Sequence, residues 1–181
     1  LSEKNSWFQD SKVYKKFKTR TTPIGFFSNS MNKNAARIDG GRILLTGSIG
    51  FNFGSALPLD LSINDYVIFQ ENATNNQDLG SVSGVINQTV QNYPLTINYT
   101  LKSTNIESLP TFSSNGRVYT DVKKIKTVLN AKISTSLTVA GIPFPVVVSI
   151  LDQQDVVTSY QYYSKTIGMV YTNTNISYSL N

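Results

Sequence analysis

Residues 93–102 read Tyr93-Pro94-Leu95-Thr96-Ile97-Asn98-Tyr99-Thr100-Leu101-Lys102, and this stretch decides the fold class. Its odd positions are aliphatic or aromatic, and its even positions are polar or proline. A helix advances 100° per residue and would scatter those five apolar groups around its axis. A strand puts them all on one face. The same period of two recurs outward in both directions. Over 43–53 the odd positions hold Ile43, Leu45, Ile49, Phe51 and Phe53. A shorter apolar strand follows Pro58 at 65–70, and another over 80–90 carries Val82, Ile86 and Val90 on one side. Beyond 102, Ile125, Leu129, Ile133, Leu137 and Val139 mark a long strand over 117–139. Val118 and Val122 fall on its other parity, which predicts a bulge or break near 121–123.

The connections carry turn chemistry. Loops are expected over 71–78, around Pro110 with Asn115-Gly116, at Ala140-Gly141, and over 153–157. A strand over 143–150 separates the last two, with Phe144, Val146, Val148 and Ile150 on one parity. A closing strand at 160–170 is expected to turn at 173–175 into a terminal strand holding Ile176, Tyr178 and Leu180. The reading is therefore all-β and mainly antiparallel. It implies a strongly twisted open sheet, half-barrel or sandwich of about eight or nine strands.

Residues 1–42 read differently, as a basic N-terminal arm and loop preceding a single antiparallel β domain over 43–181. Trp7, Phe8, Val13, Tyr14 and Phe17 fit one stripe of a short helix, with Ser6 and Gln9 spaced as a capping box. They fit equally an aromatic arm docked on the domain edge. Residues 21–41, with Pro23, Gly25 and Gly40-Gly41, read as loop. Lys4, Lys12, Lys15, Lys16, Lys18 and Arg20 stand against Glu3 and Asp10, so the first twenty residues hold most of the net charge of +5. The remainder is close to neutral. Nucleic-acid binding would place the excess on a folded face beside base-reading groups, and this pattern does not. A tether near an anionic surface fits it better.

Histidine and cysteine are both absent. Their absence removes the usual general base at neutral pH, thiolate nucleophiles, and sulfur- or imidazole-based metal sites. The serines have no histidine to activate them, and adjacent Ser164 and Lys165 point to opposite faces of a strand. Asp152 with Asp155, and Asp60 with Asp65, lack the dense acidic spacing of a calcium loop and read as turn formers. Four Asn-x-Ser/Thr sequons, at Asn72, Asn87, Asn98 and Asn175, match what an asparagine- and threonine-rich chain holds by chance. Lys123, Lys124, Lys126 and Lys132 read as a solvated face that discourages edge aggregation. No enzyme, no metal and no cofactor is expected.

The positive signal is aromatic. Residues 160–171 hold Tyr160, Tyr162, Tyr163, Met169 and Tyr171 within twelve positions. Amphipathic rings and a thioether suit an apolar cavity or a contact surface, and they also suit ordinary cross-strand packing. The run Tyr162-Tyr163-Ser164-Lys165-Thr166-Ile167-Gly168-Met169-Val170 resembles the closing hairpin of bacterial cell-envelope lipoproteins with a LolA-like, open antiparallel sheet. The resemblance implies a secreted protein of the periplasm or outer-membrane surface, held only through an N-terminal anchor removed upstream of Leu1. It also implies an apolar concave sheet face that takes a lipid or other apolar ligand, or an envelope protein partner. Two other roles fit the strands: a structural or adhesive module of a surface assembly without a small ligand, and a small outer-membrane barrel.

Overall fold

A computed structural model describes residues 2–9, 12–16, 26–53, 57–165 and 167–181. In chain order the elements are β1 (Ser2–Gln9), β2 (Lys12–Lys16), α1 (Phe26–Lys33), β3 (Ala35–Asp39), β4 (Arg42–Phe53) and β5 (Leu57–Gln70). They continue with β6 (Gln77–Val90), β7 (Tyr93–Ser114), β8 (Arg117–Leu137), β9 (Val146–Ser164) and β10 (Gly168–Ile176). The first five strands form one sheet and the last five another, each antiparallel, with spatial order following chain order. The all-β, open antiparallel expectation holds. Neither sheet closes on itself, so the closed ring that a small barrel requires is not formed among the described residues.

Alternation builds the interior. On β5, Leu57, Leu59, Leu61 and Ile63 are buried while Pro58, Asp60, Ser62 and Asn64 are exposed. Ile49, Phe51 and Phe53 of β4 join them, and the second sheet contributes Ile97, Leu101, Ile125, Leu129, Ile133 and Leu151 to the same continuous cluster. Helix α1 adds Phe27 and Met31 to this core. The ring of Phe26 meets Phe51 edge-on at 6.0 Å.

Pairing between β4 and β5 shifts between Ile43 and Leu44 and again between Leu45 and Gly47, and two side chains hold the second break. Leu45 pairs with Tyr66 but Gly47 with Ile63, so Thr46 opposes two residues of β5. The Thr46 hydroxyl accepts the Asp65 amide at 3.0 Å, and Asp65 sits at φ 50°. Arg37 clamps the Asp65 carboxylate from Nε at 2.8 Å and Nη2 at 3.1 Å. Burial then switches from odd positions at Ile63 to even ones at Tyr66 and Ile68. On the other side of the break, buried Asn34 behaves as a short piece of strand: its Oδ1 accepts the Ser48 amide at 2.9 Å and its Nδ2 donates to the Ser48 carbonyl at 2.7 Å.

Several sequence expectations need correction. The N-terminal helix is not formed where the stripe suggested, because residues 2–9 and 12–16 are strands; Phe17 lies outside the described residues. Within 21–41, read as loop, 26–33 is helical and 35–39 pairs with β4. Pro23 and Gly25 lie outside the described residues. Pro58 does not interrupt, since it faces outward within β5. Pro110 likewise lies inside β7, which runs to the turn at Asn115-Gly116. The turn expected over 153–157 is a pair of bulges: Val157 pairs with Leu129 but Asp155 with Asn130, and Gln154 pairs with Ala131 but Leu151 with Ile133. Two expected strands are thus the single strand β9. Residues 173–175 belong to β10, and the chain reverses between the end of β9 at Ser164 and the start of β10 at Gly168 instead. The bulge expected near 121–123 is not formed, because β8 runs through these residues without a register shift against β7 or β9. The irregularity lies opposite, at Ile106 of β7, although Asp121 sits at φ 50° and burial moves from Val122 to Ile125.

Candidate functional site

The alternation of β9 splits the aromatic cluster between two faces of the second sheet. Tyr163 turns inward, 2 % exposed, with its ring 5.3 Å from Phe69 and its hydroxyl donating to the Met31 sulfur at 4.0 Å. Met169 pairs with Tyr163 and packs against the same core. Tyr160 and Tyr162 occupy the alternate, half-exposed positions. Val170 is an extra residue in the pairing, so Tyr171 pairs with Tyr162 and stands beside it. Without that bulge Tyr171 would share the face of Met169. The five aromatic and thioether positions therefore do not form one site. Tyr160, Tyr162 and Tyr171 belong together, and Tyr163 and Met169 are core.

The outer trio has two further members. Glu107, Lys124, Tyr162 and Tyr171 lie in one row across β7, β8, β9 and β10. Lys124 Nζ donates to Glu107 Oε1 at 2.9 Å and lies 5.5 Å and 5.8 Å from the ring centres of Tyr160 and Tyr162. The Glu107 partner, assisted by the Tyr162 phenol, raises the Lys124 ammonium above its ordinary range, so it stays charged. A cation over a ring face is attracted by the ring quadrupole. Phe112 completes the group: it stacks on Tyr162 at 4.2 Å with planes 20° apart, and its centre is 5.7 Å from Tyr171. Tyr162 meets Tyr171 edge-on at 5.5 Å. Phe112 pairs with Tyr119, well along the β7–β8 hairpin from Lys124. Its contact with Tyr162 means that the hairpin curls back over the sheet; regular pairing gives way at the extra residue Ile106, and Asp121 adds a left-handed backbone position at φ 50°. Together with Ser113, Ser114 and Asn173 these groups line an open cleft of about 530 Å³.

The chain matches no family model, no curated protein and no solved structure. Its site is read from its own chemistry.

The inner face of the second sheet is not uniformly apolar. Buried Gln161 accepts from Thr127 Oγ1 at 3.1 Å and donates to Ser159 Oγ at 2.8 Å; Ser159 in turn meets Thr174 at 2.7 Å. Ser103 donates to the Val67 carbonyl at 2.7 Å, and Asn105 to that of Thr74 at 2.8 Å. These bonds tie the sheet to itself, to β5 and to the β5–β6 connection. At this height the inner face of the second sheet is a packed and hydrogen-bonded seam.

The other sequence candidates separate. Ser164 donates to the Thr120 carbonyl and Lys165 pairs with Glu71 at 3.0 Å. Asp152 accepts from Ser149 at 2.7 Å, which holds its carboxyl below the ordinary range, while Asp155 accepts from Asn130. Asp65 is engaged by Arg37, and Asp60 is exposed. Among the described residues no three acidic groups converge as metal ligands. Lys123 reaches the Ala73 carbonyl at 2.6 Å and so departs from the solvated face expected of it with Lys124.

The inward tyrosines give a pH prediction. Burial raises the phenols of Tyr66 and Tyr163 well above the ordinary range. A raised folded value means that the neutral form is favoured by folding. The contribution is complete below about pH 10 and is lost as pH climbs above it, where the unfolded phenols ionise first. In an alkaline absorbance titration, two of the ten tyrosines should ionise only together with unfolding. Tyr66→Phe with Tyr163→Phe should remove that late component; its persistence in the double variant would assign it elsewhere.

Proposed function

We propose that this chain is a non-catalytic binding β-domain that takes an apolar, ring-bearing ligand on the outer face of its second sheet. The observation that carries the reading is the cross-strand row of Lys124, Tyr162 and Tyr171, roofed by Phe112 over an open cleft. Stacked rings offer a flat apolar surface, while Lys124, Ser114 and Asn173 supply polar groups at its rim. The packed interior supports binding outside the sheets rather than between them. The resemblance of residues 162–170 to envelope lipoproteins supports a secreted location at the bacterial envelope.

Saturation-transfer NMR with a panel of soluble aromatic and sugar probes tests the site. At least one probe class should bind the wild-type chain, with its affinity falling about tenfold or more in Tyr171→Ala and Phe112→Ala, as loss of an aromatic contact implies. A wild-type protein that takes up no probe would favour the second reading, an adhesive module without a small ligand. Equal binding by both variants would move the ligand off this cleft.

A further inference from the structure

The end of the molecule opposite the Asn115-Gly116 turn carries a second feature that the aromatic cleft does not use. Residues 133–151 contain no charged side chain, and they span the tip of the β8–β9 hairpin. At that tip Phe144 is 65 % exposed and Val147 70 %, with Val139, Ile142 and Val148 exposed beside them. Exposed apolar groups gathered at one place on a surface mark a contact, whereas single ones are ordinary.

The directions of these side chains indicate what covers them. Val147 and Val148 are neighbours in a strand, so they point to opposite faces of the hairpin, and both are exposed. A flat protein surface could bury one face and would leave the other wet. A medium that surrounds the tip buries both. The loop is also suited to leaving water: Pro143 and Pro145 have no amide hydrogen, and the Ile142 amide donates to the Val139 carbonyl at 3.1 Å. The adjacent β6–β7 turn brings exposed Gln91 and Asn92 to the same end, followed by Tyr93, 56 % exposed. The register that pairs Leu95 with Thr135 sets Tyr93 level with Leu137, which pairs with Val146 at the base of the tip. An exposed phenol level with the base of an apolar tip suits a membrane–water boundary, where amphipathic rings gather.

We propose that the β8–β9 tip is a lipid-insertion element that seats Ile142, Phe144 and Val147 shallowly at the headgroup–acyl boundary of a membrane. The hairpin does not span the bilayer. Its attraction is apolar, so it acts on uncharged headgroups and tolerates salt, unlike a basic segment.

Co-sedimentation with phosphatidylcholine vesicles, and with vesicles containing phosphatidylglycerol, tests this on the full chain. Wild-type protein should partition onto both at high salt. Phe144→Ser with Val147→Ser should lower the partition coefficient at least about tenfold. Val118→Ser, at an exposed valine on the opposite end of β8, should leave it unchanged, and circular dichroism should show all three folded. No partition of wild type onto phosphatidylcholine would overturn the proposal. So would binding confined to anionic vesicles and lost in salt, which belongs to the basic N-terminal residues. Equal partition by the double variant, or a soluble oligomer that the double variant dissociates, would likewise overturn it.

Discussion

Leu129→Ala should lower the unfolding free energy by about 3–5 kcal/mol, and the melting temperature by roughly 10 °C. Leu129 is fully buried at the middle of β8, the central strand of the second sheet. Its register partners are Leu101 on one side and Val157 on the other, themselves buried. Both neighbours are fixed by hydrogen-bonded ladders, so they cannot collapse into the space a leucine leaves, and the cavity term is felt in full. Val118→Ala on the same strand removes apolar atoms from a position 67 % exposed and should stay within about 0.5 kcal/mol. Urea unfolding with unchanged slope measures both. Similar costs for the two variants would mean that β8 does not bury the face assigned to it.

Gly47→Ala should cost about 3 kcal/mol although the position is exposed. Gly47 has φ 139°, a conformation that L side chains rarely adopt, and holding one there costs on the order of 1–3 kcal/mol. An added Cβ would also land on Asn34 Oδ1. That oxygen is committed to the Ser48 amide, so displacing it disrupts two partly buried hydrogen bonds. Asn34→Ala alone loses the same two bonds. The two substitutions act on one contact, and the double variant should be less destabilised than their separate costs added together. A double-mutant cycle by urea unfolding decides this; strict additivity would show that Gly47 and Asn34 do not share the break.

The fold class was legible because the side-chain period of two is a local property, plain in 93–102 and repeated along β4, β7 and β8. What the sequence obscured were places where turn-forming residues sit inside strands. Pro58 lies on the edge strand β5 and Pro110 on the stretch of β7 that β6 does not reach, where a missing amide is tolerated. The polar run around Asp152–Asp155 makes bulges rather than a reversal. The first forty residues were misread because the aromatics at 7, 8, 13, 14 and 17 satisfy helix and strand spacing alike. At the candidate site, the tyrosines at 160, 162 and 171 were visible as a cluster. Their separation from Tyr163 and Met169 depends on one extra residue, Val170, that no local pattern announces. Phe112 was hidden by distance: it lies fifty positions before Tyr162 and reaches it only through the curl of a long hairpin. Lys124 was noted only as a solvated charge, because its ring partners come from the next strand.

In both sheets, each strand lies beside the one that precedes it in the chain. Assembly can therefore proceed hairpin by hairpin as the polypeptide leaves the ribosome, each new strand finding a ready template at the growing margin. No segment has to wait for a distant partner or thread past one already placed, which keeps loop-closure entropy small at every step. An architecture of strands as long as the 22 residues of β7 would otherwise be slow to form and prone to mispairing in the interval.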